Sequence, residues 1–196
     1  MAARRIVCIA GGSGAGKTTL AEGIAERLGD RVSLLHLDDY QKTKERVPLT
    51  ASGRPNYDHP DAVDFTRFIR DLTALAAGKD VIVTRREKRK TMDAGVSEGT
   101  AVVVPSRPIV VVEGYLALWH PGALAQYDFT IFLDLHRALR LERRRWAKDP
   151  EYVAEVLMPM HDLHVEPTKL FARLVIPVAR HSQDQVLDLA LAAIGE

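Results

Sequence analysis

The stretch Gly11-Gly12-Ser13-Gly14-Ala15-Gly16-Lys17-Thr18-Thr19 constrains this chain more than any other. It follows a short apolar run, Ile6 to Ala10, and leads into a helical pattern that ends at Leu28. Gly11, four free positions, Gly16, Lys17 and Thr18 make the phosphate-loop pattern G-x-x-x-x-G-K-[ST]. Glycines let the backbone turn tightly, with N–H groups converging on one concavity. The helix that follows adds the positive end of its dipole. Residues 11 to 19 are therefore expected to cradle a polyphosphate, with Lys17 reaching the β- and γ-phosphates and the Thr18 hydroxyl ligating Mg2+. A flexible glycine-serine linker would match the composition, but not the position between a strand signal and a helix signal.

The rest of the chain alternates strand-like and helix-like segments, which points to an α/β fold with a mostly parallel central sheet. Strands are expected at residues 5–10, 32–37, 81–83, 109–112, 129–133 and 174–176. Helices are expected at 18–28, 60–77, 137–147, 152–164 (interrupted near Pro159) and 184–194. The run Ile109 to Val112 lacks alternation, as a strand buried on both faces does. Residues 41–57 and 84–100 carry no period and read as surface segments. No repeat or linker divides the chain, so residues 1–196 are read as a single domain. Within it, a lid is expected at about 137–151 and substrate-side insertions at about 40–60 and 84–100.

Composition narrows the partners. A net charge of +1 over 196 residues argues against a general attraction to nucleic acid or membrane. The single cysteine, Cys8, allows no internal disulfide and lies in the first apolar run, where a buried structural thiol is expected. No apolar run approaches the length of a membrane span, and the first residues run directly into strand and loop without room for a signal peptide. A cytoplasmic protein is expected.

Ligands of open α/β sheets bind beyond the carboxyl ends of the strands, and three acidic groups fall there. Glu113 closes the buried run and suits the group that holds Mg2+. Asp38 follows the second strand and could accept the proton of an attacking hydroxyl; Asp38-Asp39 could also be a turn or a cap, the less favoured reading. Asp134 precedes a helical run and reads as its cap.

Several stretches, in register with the loop, resemble the uridine kinase group of P-loop kinases, which includes nicotinamide riboside kinases and phosphoribulokinases. They are the loop itself, Leu37-Asp38-Asp39-Tyr40, Asn56-Tyr57-Asp58-His59-Pro60-Asp61-Ala62-Val63-Asp64 and Val111-Val112-Glu113-Gly114. The C-terminal pieces Pro159-Met160-His161, Val165-Glu166-Pro167-Thr168-Lys169 and Val175-Ile176-Pro177 complete the set. The resemblance spans residues 5 to about 177. It implies a three-layer P-loop fold with a short helical lid, and an ATP-dependent, Mg2+-requiring kinase of a nucleoside or similar small hydroxylated metabolite. Asp38 would be the base and Asp58 would bind sugar hydroxyls; Asp38, Tyr40 and Asp58, together with Arg86 from the basic run described below, are the expected acceptor side. Relatives often form homo-oligomers.

The basic helix matches the family's lid helix, where an arginine neutralises charge on the transferred phosphoryl. Arg144 and Arg145, among Arg140, Arg143, Arg144 and Arg145, are the candidates. Two departures limit the resemblance. The family's aromatic base-holding segment is replaced by Val83-Thr84-Arg85-Arg86-Glu87-Lys88-Arg89-Lys90, and its Glu-Arg-Gly-Arg lid sequence is missing. The basic run 85–90 fits an anionic substrate or a solvated loop, and a sugar phosphate or nicotinamide riboside stands as an alternative acceptor. A nucleotide switch without an acceptor is a further alternative, against which Asp58 argues. His161 and His164 are expected to be structural, and Trp119 and Trp146 to be packing or lid residues.

Overall fold

In the computed structural model, which describes residues 4–85, 99–143 and 149–196, the glycine-rich segment joins β1 (Arg5–Gly11) to α1 (Lys17–Leu28). Next come β2 (Val32–His36), a long loop, α2 (Phe65–Ala76), β3 (Val81–Arg85) and β4 (Thr100–Val104). The chain continues through β5 (Ile109–Glu113), α3 (Pro121–Leu124), β6 (Phe129–Asp134) and α4 (Arg137–Arg143). It then passes through α5 (Pro150–Tyr152), α6 (Met158–Met160), β7 (Leu174–Pro177) and α7 (Gln183–Ala193).

Five of these strands form one parallel sheet in the order β2-β5-β1-β6-β7. The period of two in a strand sends alternate residues of β1 to opposite faces. Ile6, Cys8 and Ala10 join Phe68, Leu72 and Leu75 of α2. Val7 and Ile9 join Leu20, Ala21 and Ile24 of α1 and Val186, Ala190 and Leu191 of α7. Helices thus cover both faces, which is why β1 and β5 are apolar at nearly every position. The strand order brings the carboxyl ends of β2, β5 and β1 side by side, and Ile9 pairs with Glu113.

Several elements differ from expectation. The strand at 81–83 lies outside the main sheet: β3 pairs antiparallel with β4, Val81 opposite Val104 and Arg85 opposite Thr100. β4 itself was unforeseen, although Ala101-Val102-Val103-Val104 carries β-branched residues suited to a strand. The helix expected from Pro60 is one 3-10 turn, Pro60–Ala62, and α2 begins only at Phe65, where the Asp64 side chain accepts a hydrogen bond from Arg67 N at 3.0 Å. A carboxylate cap fixes the start better than a proline four residues upstream of it. No break occurs at Pro159. Wide π turns at Val153–Leu157 and His161–Val165 flank α6, and such turns absorb the missing N–H and the ring clash of an internal proline. α7 starts one residue early, on a capping box between Ser182 and Gln185. Among the described residues no helix is long and apolar enough to cross a membrane.

Candidate active site

The glycine-rich segment opens onto a cleft of about 1120 Å3 that reaches from Ser13–Thr19 to Asp58. Gly11 has φ 144°, and a Cβ there would lie 2.6 Å from the Leu133 carbonyl oxygen, so no larger residue fits. Gly16 caps α1 at φ 96°, and the first residues of α1, Lys17 to Leu20, line the cleft, where the positive end of a helix suits an anion. Lys17 Nζ donates to the Gly12 carbonyl at 3.1 Å, folding the lysine over the loop.

Two candidate Mg2+ ligands meet here. Thr18 Oγ1 donates to Glu113 Oε1 at 3.3 Å, and His36 Nδ1 lies 2.8 Å from the same oxygen. Burial pushes the Glu113 carboxyl up, but the His36 contact, the Lys17 charge and the Thr18 hydroxyl outweigh it. Its pKa falls below the usual value, so it stays ionised. One hydroxyl and one ionised carboxylate beside a phosphate cradle fit Mg2+, which takes few protein ligands and completes its shell with phosphate and water.

β2 ends at His36, one residue before the expected Leu37, and Leu37–Tyr40 forms a 3-10 turn. That turn separates the two aspartates. Asp38 faces the cleft and is exposed to it. Asp39 is buried and accepts from Arg85 Nε at 2.8 Å. The Asp38 carboxyl is open to water from the cleft yet walled by protein on its other sides. That enclosure, with the negative charges of Glu113 and Asp58, raises its pKa to about 6 against the opposing pull of Lys17 and His36.

The Asn56–Asp64 stretch is explained residue by residue. Asn56 Oδ1 accepts from Asp58 N at 3.2 Å, and Tyr57 is buried while its carbonyl accepts from Gln41 Nε2 and Tyr115 Oη. His59 caps the Pro60 turn through Asp61 N, and Asp64 caps α2. With its neighbours anchored, Asp58 projects into the cleft, where Tyr152 Oη donates to its Oδ2 at 2.7 Å.

Asp38, Lys17, Thr18, Glu113, Asp58 and residues 13–19 therefore share one cleft. Tyr40 does not join them: it is 2 % exposed, its hydroxyl donates to Asp71 at 3.1 Å, and its ring meets Phe68 edge-on. Its place on the far side of the 3-10 turn aims it at α2, which corrects its assignment to the acceptor side. Asp134 caps nothing; its Oδ2 accepts from Lys169 Nζ at 2.6 Å, and His136 Nδ1 instead accepts from Ala138 N. Arg86 and the run to Lys90, together with Arg144, Arg145, Trp146 and Lys148, lie outside the described residues. His161 is buried against Glu166, and His164 packs on His59 and Trp119. Trp119 also packs on Phe65.

His36, Arg85, Tyr115, Arg143 and Tyr152 also line the cleft and were not singled out as site residues in the sequence. Arg54 stands behind them, bonding Asp149 at 2.7 Å and Glu151 at 2.9 Å, and Ser52 Oγ donates to Glu155 at 2.6 Å. His36 carries a local signal, as the last residue of a strand beside the metal-site strand. The others depend on contacts between distant segments.

Known proteins bear on this geometry. The phosphoribulokinase/uridine kinase family matches residues 6–183. A uridine kinase of Chloroflexus aggregans (strain MD-66 / DSM 9485) is 33% identical over 183 residues, covering 88% of this chain and 86% of that protein. A uridine kinase of Staphylococcus aureus (strain JH9) is 34% identical over 190 residues, covering 90% and 89%. The fold is similar to that of a possible uridine kinase from Bacillus stearothermophilus, with a TM-score of 0.66, 17% identity and 90% coverage of each chain. Shikimate kinase from Acinetobacter baumannii matches with a TM-score of 0.54 and 20% identity, covering 98% of this chain and 96% of that one. With phosphate loop, strand-end carboxylates and flanking sheet all in the family's order, the chain belongs to the phosphoribulokinase/uridine kinase family.

Proposed function

We propose that this kinase transfers the γ-phosphoryl of MgATP to a hydroxyl of a nucleoside or nucleoside-like metabolite. The observation that carries this reading is the placement of Asp38 and Asp58 in the same cleft as the phosphate loop. A bare nucleotide switch has no use for a second, acceptor-side pair of carboxylates. Relatives that are uridine kinases at 33% and 34% identity support a nucleoside.

Asp38 orients the acceptor hydroxyl and takes its proton, a task suited to a carboxyl with a pKa raised to about 6. Asp58, held by Tyr152, grips neighbouring hydroxyls. Lys17 turns from the Gly12 carbonyl to the phosphates, and the loop amides bind their oxygens. Thr18 and Glu113 hold Mg2+, which neutralises phosphate charge when bound. Arg144 and Arg145 act from the lid at about 137–151. Positioning and electrostatics of this kind supply most of the rate in phosphoryl transfer. A single domain without nucleic-acid or membrane partner, in the cytoplasm, fits the +1 net charge and the lone buried thiol.

A second reading, an acceptor with an anionic group such as a sugar phosphate, is favoured by the Arg85 guanidinium in the cleft. ATP consumption measured against uridine, cytidine, nicotinamide riboside and a series of sugar phosphates separates the readings. Stimulation by a nucleoside supports the first, stimulation by sugar phosphates alone supports the second, and hydrolysis indifferent to every acceptor refutes both.

A further inference from the structure

Of the described arginines of the basic helix, Arg137, Arg140 and Arg143, only Arg140 is buried. It does not line the cleft. It is 5 % exposed, its Nε donates to the Leu135 carbonyl at 3.0 Å, and its side chain lies flat against the phosphate loop at Gly12. A Cβ built on Gly12 would meet three atoms first, all of Arg140: Nη1 at 2.4 Å, Cδ at 2.8 Å and Cζ at 2.8 Å. Gly12 is also absent from the glycines with positive φ, so the backbone does not require a glycine there. The reason for glycine at position 12 is the guanidinium.

The charge of that guanidinium is incompletely answered. No carboxylate of the described residues reaches it at ion-pair distance; Glu166, Asp162 and Asp134 act on it from farther off, while Arg137 and His161 oppose it. Glu166 and Asp134 are themselves engaged, with His161 at 3.2 Å and Lys169 at 2.6 Å. A buried cation without a contacting anion is costly, and this one lies directly behind the segment that receives the most highly charged ligand of the protein.

We propose that Arg140 is the positioning residue of the phosphate loop. Its planar side chain supports the Gly12 backbone from behind, and its desolvated positive charge adds to the loop's attraction for the β- and γ-phosphates. The ligand class it serves is the nucleoside di- and triphosphates. Arg140 touches neither substrate, so it acts through Gly12. The proposal rests on nucleotide binding by the loop and on no particular acceptor.

The test is a double-mutant cycle read by nucleotide affinity. Calorimetric titration with MgATP, MgADP and adenosine is carried out on the wild type, Gly12→Ala, Arg140→Ala and the double variant. In Gly12→Ala the methyl group displaces the guanidinium, and ATP affinity falls about tenfold or more, the range of a lost charged contact. In the Arg140→Ala background those three nearest atoms are gone, and the same methyl changes ATP affinity less than about twofold, the two sites being coupled. Adenosine affinity stays level throughout, whereas a general loosening of the site would lower it in parallel with ATP. Equal effects of Gly12→Ala in both backgrounds, or equal losses for adenosine and ATP, would overturn the proposal. Should Arg140→Ala fail to fold, Arg140→Val keeps the stem through Cγ, places no atom at the clashing Cδ position and serves as the background for the same comparison. Failure of all four proteins to bind ATP would overturn the nucleotide reading itself, a result distinct from an uncoupled cycle.

Discussion

Tyr152 and Asp58, 94 residues apart in sequence, are joined by a hydrogen bond of 2.7 Å from the phenol to the carboxylate. The bond ties the acceptor side of the cleft to the helical run that follows the basic helix. Nearby, Arg54 bonds Asp149 and Glu151, and Ser52 bonds Glu155, so the same two segments are fastened at three further points. Asp58 is thereby held in one orientation before any acceptor arrives, which lowers the entropy lost on binding. Tyr152→Phe keeps the ring and removes the bond. The expected result is a rise of about tenfold in acceptor KM with ATP KM unchanged, measured by steady-state kinetics with each substrate varied in turn.

The Asp38 carboxyl, with its pKa raised to about 6, has to be ionised to accept a proton. The pH profile of kcat/KM for the acceptor should therefore climb as pH rises through about 6 and level off above it. Stability follows the opposite sign. A group whose pKa is higher folded than unfolded favours the folded state in its protonated form, and that contribution is lost as pH rises from the unfolded value through about 6. Asp38→Asn should accordingly melt above the wild type at pH 7, with the difference vanishing below pH about 4.

Glu113 is held ionised by His36, Lys17 and Thr18. Glu113→Gln retains the shape and loses the charge, so the Mg2+ concentration needed for half-maximal activity should rise by about tenfold or more. A Mg2+ titration at fixed ATP reads this directly. His36→Gln should produce a smaller rise that grows as pH falls, because the carboxylate then protonates more readily.

The buried Asp39 carboxylate is matched by Arg85 at 2.8 Å. Arg85→Met leaves that carboxylate buried without its partner, at a cost of about 3 kcal/mol of stability, whereas Asp39→Asn combined with Arg85→Met should restore most of it. Chemical denaturation of the three proteins checks the order.

Much of the donor half was legible because it is local. The phosphate loop, the strand before it and the helix after it are consecutive, and Glu113 announces itself by ending a buried strand. The acceptor half depends on segments that meet only in the fold. Nothing near Asp58 in sequence points to Tyr152, and nothing near Asp134 points to Lys169, so Asp134 read as a cap. Tyr40 followed its neighbour Asp38 into the site on paper, but one 3-10 turn sends the two side chains to opposite sides. Pro159 read as a break because the rule for proline assumes α-helical spacing, and the surrounding π turns do not have it. β4 was missed because the polar stretch 84–100 separates it from β3, and the apolar residues 101–104 were assigned to no element.

The central claim is that this cleft activates an acceptor hydroxyl through Asp38 while the phosphate loop holds ATP. Comparing Asp38→Ala with the wild type, by ATP titration and by phosphoryl transfer to the best acceptor, tests it most directly. The account predicts ATP affinity within about twofold of wild type and transfer lowered by roughly 10²- to 10⁴-fold, the range of a lost general base. Transfer at the wild-type rate in that variant would contradict it.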